Sequence, residues 1–249
     1  MSKIGGVLIE LEEVDSTNLY AERMLSKGTV EEGTVILAKY QTAGKGQGKN
    51  RWESLPGQNL TFSIVLHPRF LEPGQQFHLN KAISLGILDF LSGYIDGAAI
   101  KWPNDIMVDS KKIGGILIQH VVEGEILETT IVGIGININQ TKFDHQLTHA
   151  ASMFQILHQE LKLKEALGLL CKAIDGRYSQ LRGKEEKTLE ADFCDALLGF
   201  REERIFLVDG EEVPGIIRGV DEFGRLLVEH PGNDVKVYAH KEIQYIMGS

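Results

Sequence analysis

The sequence is short of most features that mark special classes of protein. Only two cysteines occur in 249 residues, Cys171 and Cys194, both in helical-looking segments. Two cysteines do not build a disulfide framework, and they suit buried thiols in a reducing compartment. No apolar run approaches the roughly 20 residues needed to cross a bilayer. The stretch Met1 to Gly6 lacks the apolar core of an export signal. These absences predict a cytoplasmic protein with no membrane contact. Basic residues are outnumbered, 26 Lys and Arg against 35 Asp and Glu, for a net charge of −9. A general nucleic-acid binder would need a basic face, so none is expected as partner. The chain also has no internal repeat or low-complexity tract, and no Gly-x-Ser-x-Gly nucleophile motif.

What is present is ordinary in bulk and informative in pattern. A hydrophobic content of 43% is enough for one large domain, or a main domain and a small one. Strands are expected over 7–11, 34–40 and 60–67, and helices over about 15–27, 75–95, 161–181 and 187–198. Between 98 and 139 several strands are joined by tight turns, which implies antiparallel neighbours. This weighs against a doubly wound sheet and favours an α+β fold. Residues 204–247 read as short strands broken by Asp209-Gly210, Asp221 to Gly224 and Pro231 to Asp234, the spacing of a small β-barrel. A domain boundary is placed at 199, giving domains 1–199 and 200–249.

Four constellations could carry chemistry. Lys101-Trp102-Pro103-Asn104-Asp105 gathers a lysine, a carboxamide and a carboxylate, with Lys112-Ile113-Gly114-Gly115 close behind. Asp105 and Asn104 could place phosphates and Mg²⁺, which prefers oxygen ligands. A glycine pair inside a strand marks a bulge or a close approach. The second is the loop Gly44-Lys45-Gly46-Gln47-Gly48-Lys49-Asn50-Arg51-Trp52. Its glycines let backbone N–H groups near a phosphate, its cations add charge, and Trp52 could stack on a purine. It is not a Walker loop, since Ala43 and Asn50 stand where Gly and Ser or Thr are needed. It also fails the dinucleotide fingerprint, whose third glycine would fall at Lys49. In the third, Gly133 to Asn139, Ile134, Ile136 and Ile138 share one face of a strand, and Gly133, Gly135, Asn137 and Asn139 the other. Those glycines make room either for a ligand or for a neighbouring helix. The fourth, Asp15-Ser16-Thr17-Asn18, is expected to cap a helix and could also face a ligand. His145 and His149 have helical zinc spacing without a third ligand, so a metal role is set aside.

Together these motifs resemble the biotin protein ligases in type, order and spacing, from Asp15 to the C-terminal strands. The resemblance implies a mixed, largely antiparallel sheet with packed helices, of the class II synthetase-like kind, plus an SH3-like C-terminal barrel. It implies an enzyme that forms biotinyl-5′-AMP from biotin and MgATP. Biotin would then pass to a lysine of a carboxylase's biotin carboxyl carrier protein domain. It allows a homodimer. By this likeness Ser16, Thr17, Asn18, Gln41, Gly44, Lys45, Gly46, Gly114 and Gly115 would bind biotin. Gln47, Lys49, Asn50, Arg51, Trp52, Lys101, Asn104, Asp105 and Asn137 would hold ATP and the adenylate. Lys112 would bridge the biotin carboxylate and the α-phosphate, with Lys45 and Arg51 assisting the chemistry and Asp105 near the metal. The family's loop commonly carries Gly-Arg-Gly-Arg-Arg-Gly. Here Lys45, Gln47 and Gly48 replace the arginines, losing bidentate contacts and charge. The motifs start at Asp15, so no DNA-binding domain is expected. Two other readings stay open: a lipoate ligase, whose Arg-Arg-x-x-Gly-Gly-Gly signature is absent, and a non-catalytic biotin sensor, suggested by Gln47.

Overall fold

The computed structural model describes residues 4–48 and 50–247. Seven strands form the main sheet: β1 (Leu8–Val14), β2 (Val35–Gln41), β3 (Leu60–Leu66), β4 (Ala98–Lys101), β5 (Asp105–Val108), β6 (Lys111–Glu123) and β7 (Ile126–Ile136). Their order is β1-β2-β3-β7-β6-β5-β4. β1 and β2 run parallel, connected through helix α1 (Thr17–Leu25), and the other neighbours are antiparallel. The mixed sheet expected from the turns is therefore present.

Alternation along the central strands divides the sheet into two faces. Leu60, Phe62, Ile64 and Leu66 of β3, with Val132, Ile134 and Ile136 of β7, join the main hydrophobic cluster. That cluster includes helices α2 (Gln76–Leu91), α4 (Leu163–Arg182) and α5 (Glu186–Asp195). The opposite face meets α1 through a small cluster of Ala21, Val30, Ile36, Val65 and Ile131. A short helix, α1 covers Ser63 and Gly133 with its first turn and leaves the sheet beyond them to be covered by other parts of the chain, the Trp52 ring lying on Gly135.

One helix escaped the sequence reading. Residues 140–150 form the expected loop, but α3 (Met153–Leu157) follows, opened by a reciprocal capping box between Ser152 and Gln155. The expected capping at the start of α1 is not made. Ser16 occupies the N-cap position without a side-chain capping bond. Asp15 turns away to a forked pair with Arg23, at 2.7 and 2.8 Å.

The C-terminal strands β8 (Glu203–Val208), β9 (Glu211–Val220), β10 (Leu226–His230), β11 (Asp234–Tyr238) and β12 (Ile243–Tyr245) form one antiparallel sheet, ordered β11-β10-β9-β8-β12. The expected barrel is thus seen as a five-stranded sheet. Its core residues Phe206, Ile217, Leu226 and Ile243 belong to the same cluster as the main sheet. Trp102 Nε1 donates to the Gly224 carbonyl at 2.8 Å, tying the two sheets together beside the turn between β4 and β5. Cys171 is buried, Cys194 is half-buried rather than buried as expected, and both are free.

Candidate active site

The open part of the sheet, the loop after β2 and the C-terminal segment enclose a cavity of about 380 Å³. Most residues singled out in the sequence line it: Ser16, Thr17, Asn18, Gln41, Lys45, Gly46, Gln47, Asn50, Arg51, Trp52, Lys101, Asn104, Asp105, Lys112 and Gly115. Gly44, Gly114 and Asn137 do not line it. Gly44 is buried behind the loop. Gly114 sits against Ile136, where a Cβ would come within 2.6 Å of its side chain. Asn137 is buried and donates to the Ala151 carbonyl at 3.0 Å, its Oδ1 having no partner among the described residues. Lys49 lies outside the described residues. His145 and His149 are exposed on the 140–150 loop.

One end of the cavity is neutral, polar and densely bonded. Gln41 Oε1 accepts from the Thr17 backbone N–H at 2.7 Å, and Thr17 Oγ1 lies 3.1 Å from the same oxygen. Ser63 Oγ lies 2.7 Å from Thr17 Oγ1 and 2.6 Å from Asn18 Oδ1. Asn18 Nδ2 donates to Gln119 Oε1 at 2.6 Å, and Gln119 Nε2 donates to Glu22 Oε1 at 2.9 Å. Ser16, Thr17, Asn18 and Ser63 are all buried. Ser63 and Gln119 are new to the site. Thr61 and Ser63 interrupt the otherwise apolar Leu60–Leu66 run, and that polar pair was the available signal.

The glycines of β7 do admit neighbours. A Cβ at Gly133 would fall 2.5 Å from Asn18 Oδ1, and one at Gly135 would fall 2.2 Å from the Trp52 ring. The space at Gly133 goes to a side chain of α1, as the helix reading has it, and the space at Gly135 goes to the tryptophan of the loop, whose Nε1 has no partner among the described residues.

The other end is cationic. Lys45, Arg51, Lys101, Lys112 and Lys241 line the cavity against a single carboxylate, Asp105, a local excess of 5 − 1 = 4 among the described residues. This stands against the chain's overall charge of −9. Lys112 Nζ pairs with Asp105 Oδ1 at 2.5 Å. A bulge opposite Ile106 and Met107 sets the register of Lys112, which β6 also bonds through its backbone to His149 and Ala151. Asn104 Nδ2 donates to the Ile116 carbonyl at 2.6 Å, so the turn carrying Asp105 is fixed to the neighbouring strand. Lys101 lies 5.8 Å over the Tyr245 ring.

The loop after β2 differs from the open phosphate cradle expected. It is a small hairpin bridged at Lys45 and Arg51, and the Gly46 N–H donates to the Asn50 carbonyl. Its contribution to a ligand rests on side chains more than on backbone N–H groups. His240, Lys241, Gln244 and Tyr245 also line the cavity. No local pattern announced them; only tertiary packing brings the C-terminal segment here. Partial desolvation, with Lys241 adding to it and Asp105 opposing, shifts the exposed His240 imidazole below its usual range. Burial pushes the Tyr245 phenol up.

A sequence model of the biotin/lipoate A/B protein ligase family matches residues 10–137, half of the chain. The chain belongs to this family. Among curated relatives, the bifunctional ligase/repressor BirA of Bacillus spizizenii is 35% identical over 147 residues, covering 57% of this chain and 43% of its own length. The chain therefore spans less than half of that relative. The biotin–[acetyl-CoA-carboxylase] ligase of Mycobacterium tuberculosis is 26% identical, covering 91% of this chain and 85% of its own. Among solved structures, the biotin protein ligase of Aquifex aeolicus in complex with biotin and ATP superposes with a TM-score of 0.80 at 26% identity, covering 98% and 100% of the two chains. The ligase-family fold thus extends through the C-terminal sheet, beyond the matched segment.

Proposed function

We propose that this chain is an ATP-dependent biotin ligase. In the first step a biotin carboxylate oxygen attacks the α-phosphorus of ATP. The O–P bond forms, the bond to the β-phosphate bridge breaks, and pyrophosphate leaves. In the second step the amine of a carrier lysine attacks the acyl carbon and AMP departs. The carrier is the biotin-bearing domain of a carboxylase, as the name of the mycobacterial relative suggests.

One observation carries the reading: a neutral hydrogen-bonding end and a strongly cationic end that includes Lys112 meet in one cavity. Bringing two anions together is the main obstacle in this reaction. Fixed positive charge and positioning lower it. On this reading Ser16, Thr17 and Gln41 bond the ureido group of biotin. Lys112 exchanges its Asp105 partner for the biotin carboxylate and an α-phosphate oxygen. Lys45, Arg51 and Lys101 offset phosphate charge, and Gln47, Asn50, Asn104 and Trp52 surround the nucleotide. Residues 1–199 form the catalytic unit, and 200–249 a smaller unit that closes the cavity.

Magnesium fits as a companion of the phosphates, not as a protein-caged ion. No cluster of three His, Cys, Asp or Glu suited to a metal occurs among the described residues. A phosphate-bound Mg²⁺ needs one or two carboxylates at most, and Asp105 is the candidate. When bound it would screen the phosphate charge.

The test is biotin-dependent pyrophosphate exchange, followed by streptavidin detection of a biotinylated carrier domain. Exchange with lipoate and none with biotin would overturn the reading. Biotin binding without exchange or labelling would favour the sensor instead.

A further inference from the structure

The neutral end holds more than a set of ligand contacts. Its hydrogen bonds form a line whose direction is set from outside the cavity. Glu22 is a carboxylate and can only accept, so Gln119 presents its Nε2 to Glu22 and its Oε1 inward to Asn18. Asn18 Nδ2 faces that oxygen and also the Leu117 carbonyl at 3.4 Å, a second group that only accepts. Asn18 Oδ1 is thereby committed to Ser63. Ser63 has one hydroxyl hydrogen, and Asn18 Oδ1 takes it. The 2.7 Å approach of Ser63 and Thr17 then requires the hydrogen of Thr17. Thr17 Oγ1 keeps only lone pairs.

Gln41 has a fixed direction as well. The Thr17 backbone N–H can only donate, so Gln41 turns its Oε1 to it. Thr17 Oγ1 and Gln41 Oε1 thus stand 3.1 Å apart on the cavity wall with no hydrogen between them. Two acceptors side by side, largely shielded from water, call for one donor from a ligand.

We infer that Ser63, Asn18 and Gln119 act as a polarity relay that fixes Thr17 as an acceptor, so that this wall selects a ligand N–H. The inference rests on the biotin reading above, in which that group is a ureido N–H. These three are positioning residues: they act through Thr17, which faces the ligand. Gly133 is part of the arrangement, because a side chain there would displace the Asn18 carboxamide. A ligand offering an oxygen in place of the N–H would meet two acceptors, leaving Thr17 Oγ1 without a donor and Gln41 Oε1 with only the Thr17 backbone N–H, an omission that polar sites reject strongly.

The experiment measures, by calorimetry on the full chain, the dissociation constants of biotin and of the two cyclic carbamate analogues in which one or the other ureido N–H is replaced by oxygen. The wild type should bind one carbamate isomer about 100-fold more weakly than biotin. In Ser63→Ala the hydrogen of Thr17 is released and can be donated, so that ratio should fall about tenfold. Gln119→Lys offers only donors to Asn18, turns the line around, and should lower the ratio likewise. Gln119→Glu, made together with Glu22→Gln so that no two carboxylates meet, still accepts from Asn18 and should keep it within about twofold. A merely structural role would weaken both ligands equally. An unchanged ratio in Ser63→Ala, or in Gln119→Lys should the first variant fail to fold, would overturn the relay. An equal fall in Gln119→Glu with Glu22→Gln would overturn it too. A wild type that binds no biotin would instead defeat the reading of the activity.

Discussion

The two ends of the cavity are built on different principles. At the neutral end Thr17, Asn18 and Ser63 are buried, Gln41 and Gln119 are half-buried, and all five are bonded to one another before any ligand arrives. At the cationic end Lys45, Arg51 and Lys241 stand on loops, with Lys45 and Arg51 exposed. Their charges repel, and a compact ordered cluster of them would be costly until a polyanion joins it. The difference teaches a division of labour. Shape and hydrogen-bond direction are prepared in advance, whereas charge is gathered on parts that can close.

Lys112 is where this contrast is most exposed to refutation. It belongs to the cationic end, and both its backbone and its ion pair are fixed. If fixed charge matters most there, Lys112→Ala should lower adenylate formation about 100- to 1000-fold with an unchanged melting temperature. Pyrophosphate exchange and calorimetry would read the two quantities. Activity close to normal would mean that the loop cations share its work. The next effect bears on the prepared end. Gly133→Ala drives a methyl into the Asn18 carboxamide, which cannot swing away without breaking three contacts. A loss of about 1–3 kcal/mol in stability is expected, with a rise in the biotin dissociation constant. Gly135→Ala meets a loop side chain, Trp52, and should weaken ATP more than biotin. Equal stability losses at the two glycines would erase the distinction between the ends.

The fold was legible wherever local patterns carry it. Alternating isoleucines marked β7, although the strand stops at Ile136 and leaves Asn137, Ile138 and Asn139 beyond its end, and tight turns at Asp109-Ser110 and Gly124 marked the antiparallel hairpins. The parallel β1–β2 pair was not read, because α1 connects them and a parallel neighbour leaves no turn signature. The capping box at Ser152 was present as Ser-x-x-Gln and was overlooked in a short helix. The site was legible where motif residues sit in one strand or loop. It was hidden where its members are single residues on separate elements. Ser63, Gln119 and Lys241 come together only in the folded sheet, by register and packing. At the start of α1, Asp15 is drawn off to Arg23, a partner eight residues away that no capping pattern announces.

At the open end, Gln47→Arg should slow loss of the adenylate several-fold by adding a charge-assisted fork to the loop. Added salt should weaken ATP binding more than biotin binding, since exposed charges are screened and buried hydrogen bonds are not. Release measured by chase with unlabelled biotin would check the first statement. Unchanged release would show that position 47 does not hold the nucleotide.

The smallest effect concerns the brace outside the neutral end. The Arg23 guanidinium, helped by the Ser16 N–H, holds the Asp15 carboxyl down at about 2. Its folded value lies below the ordinary carboxylate range near ~3.9, so the brace stabilises above that pH and fades as pH falls towards 2. Both side chains are well exposed, 39% for Asp15 and 50% for Arg23, which leaves the pair weak. Arg23→Ala should therefore lower the melting temperature by no more than about 2 °C at pH 7, and the gap should narrow as pH falls from about 4 to about 2. The biotin dissociation constant should stay within about twofold, because the buried line from Thr17 to Gln119 orders the start of α1 without the brace. A tenfold rise would place that ordering on the surface, and the neutral end would then be no better prepared than the cationic one.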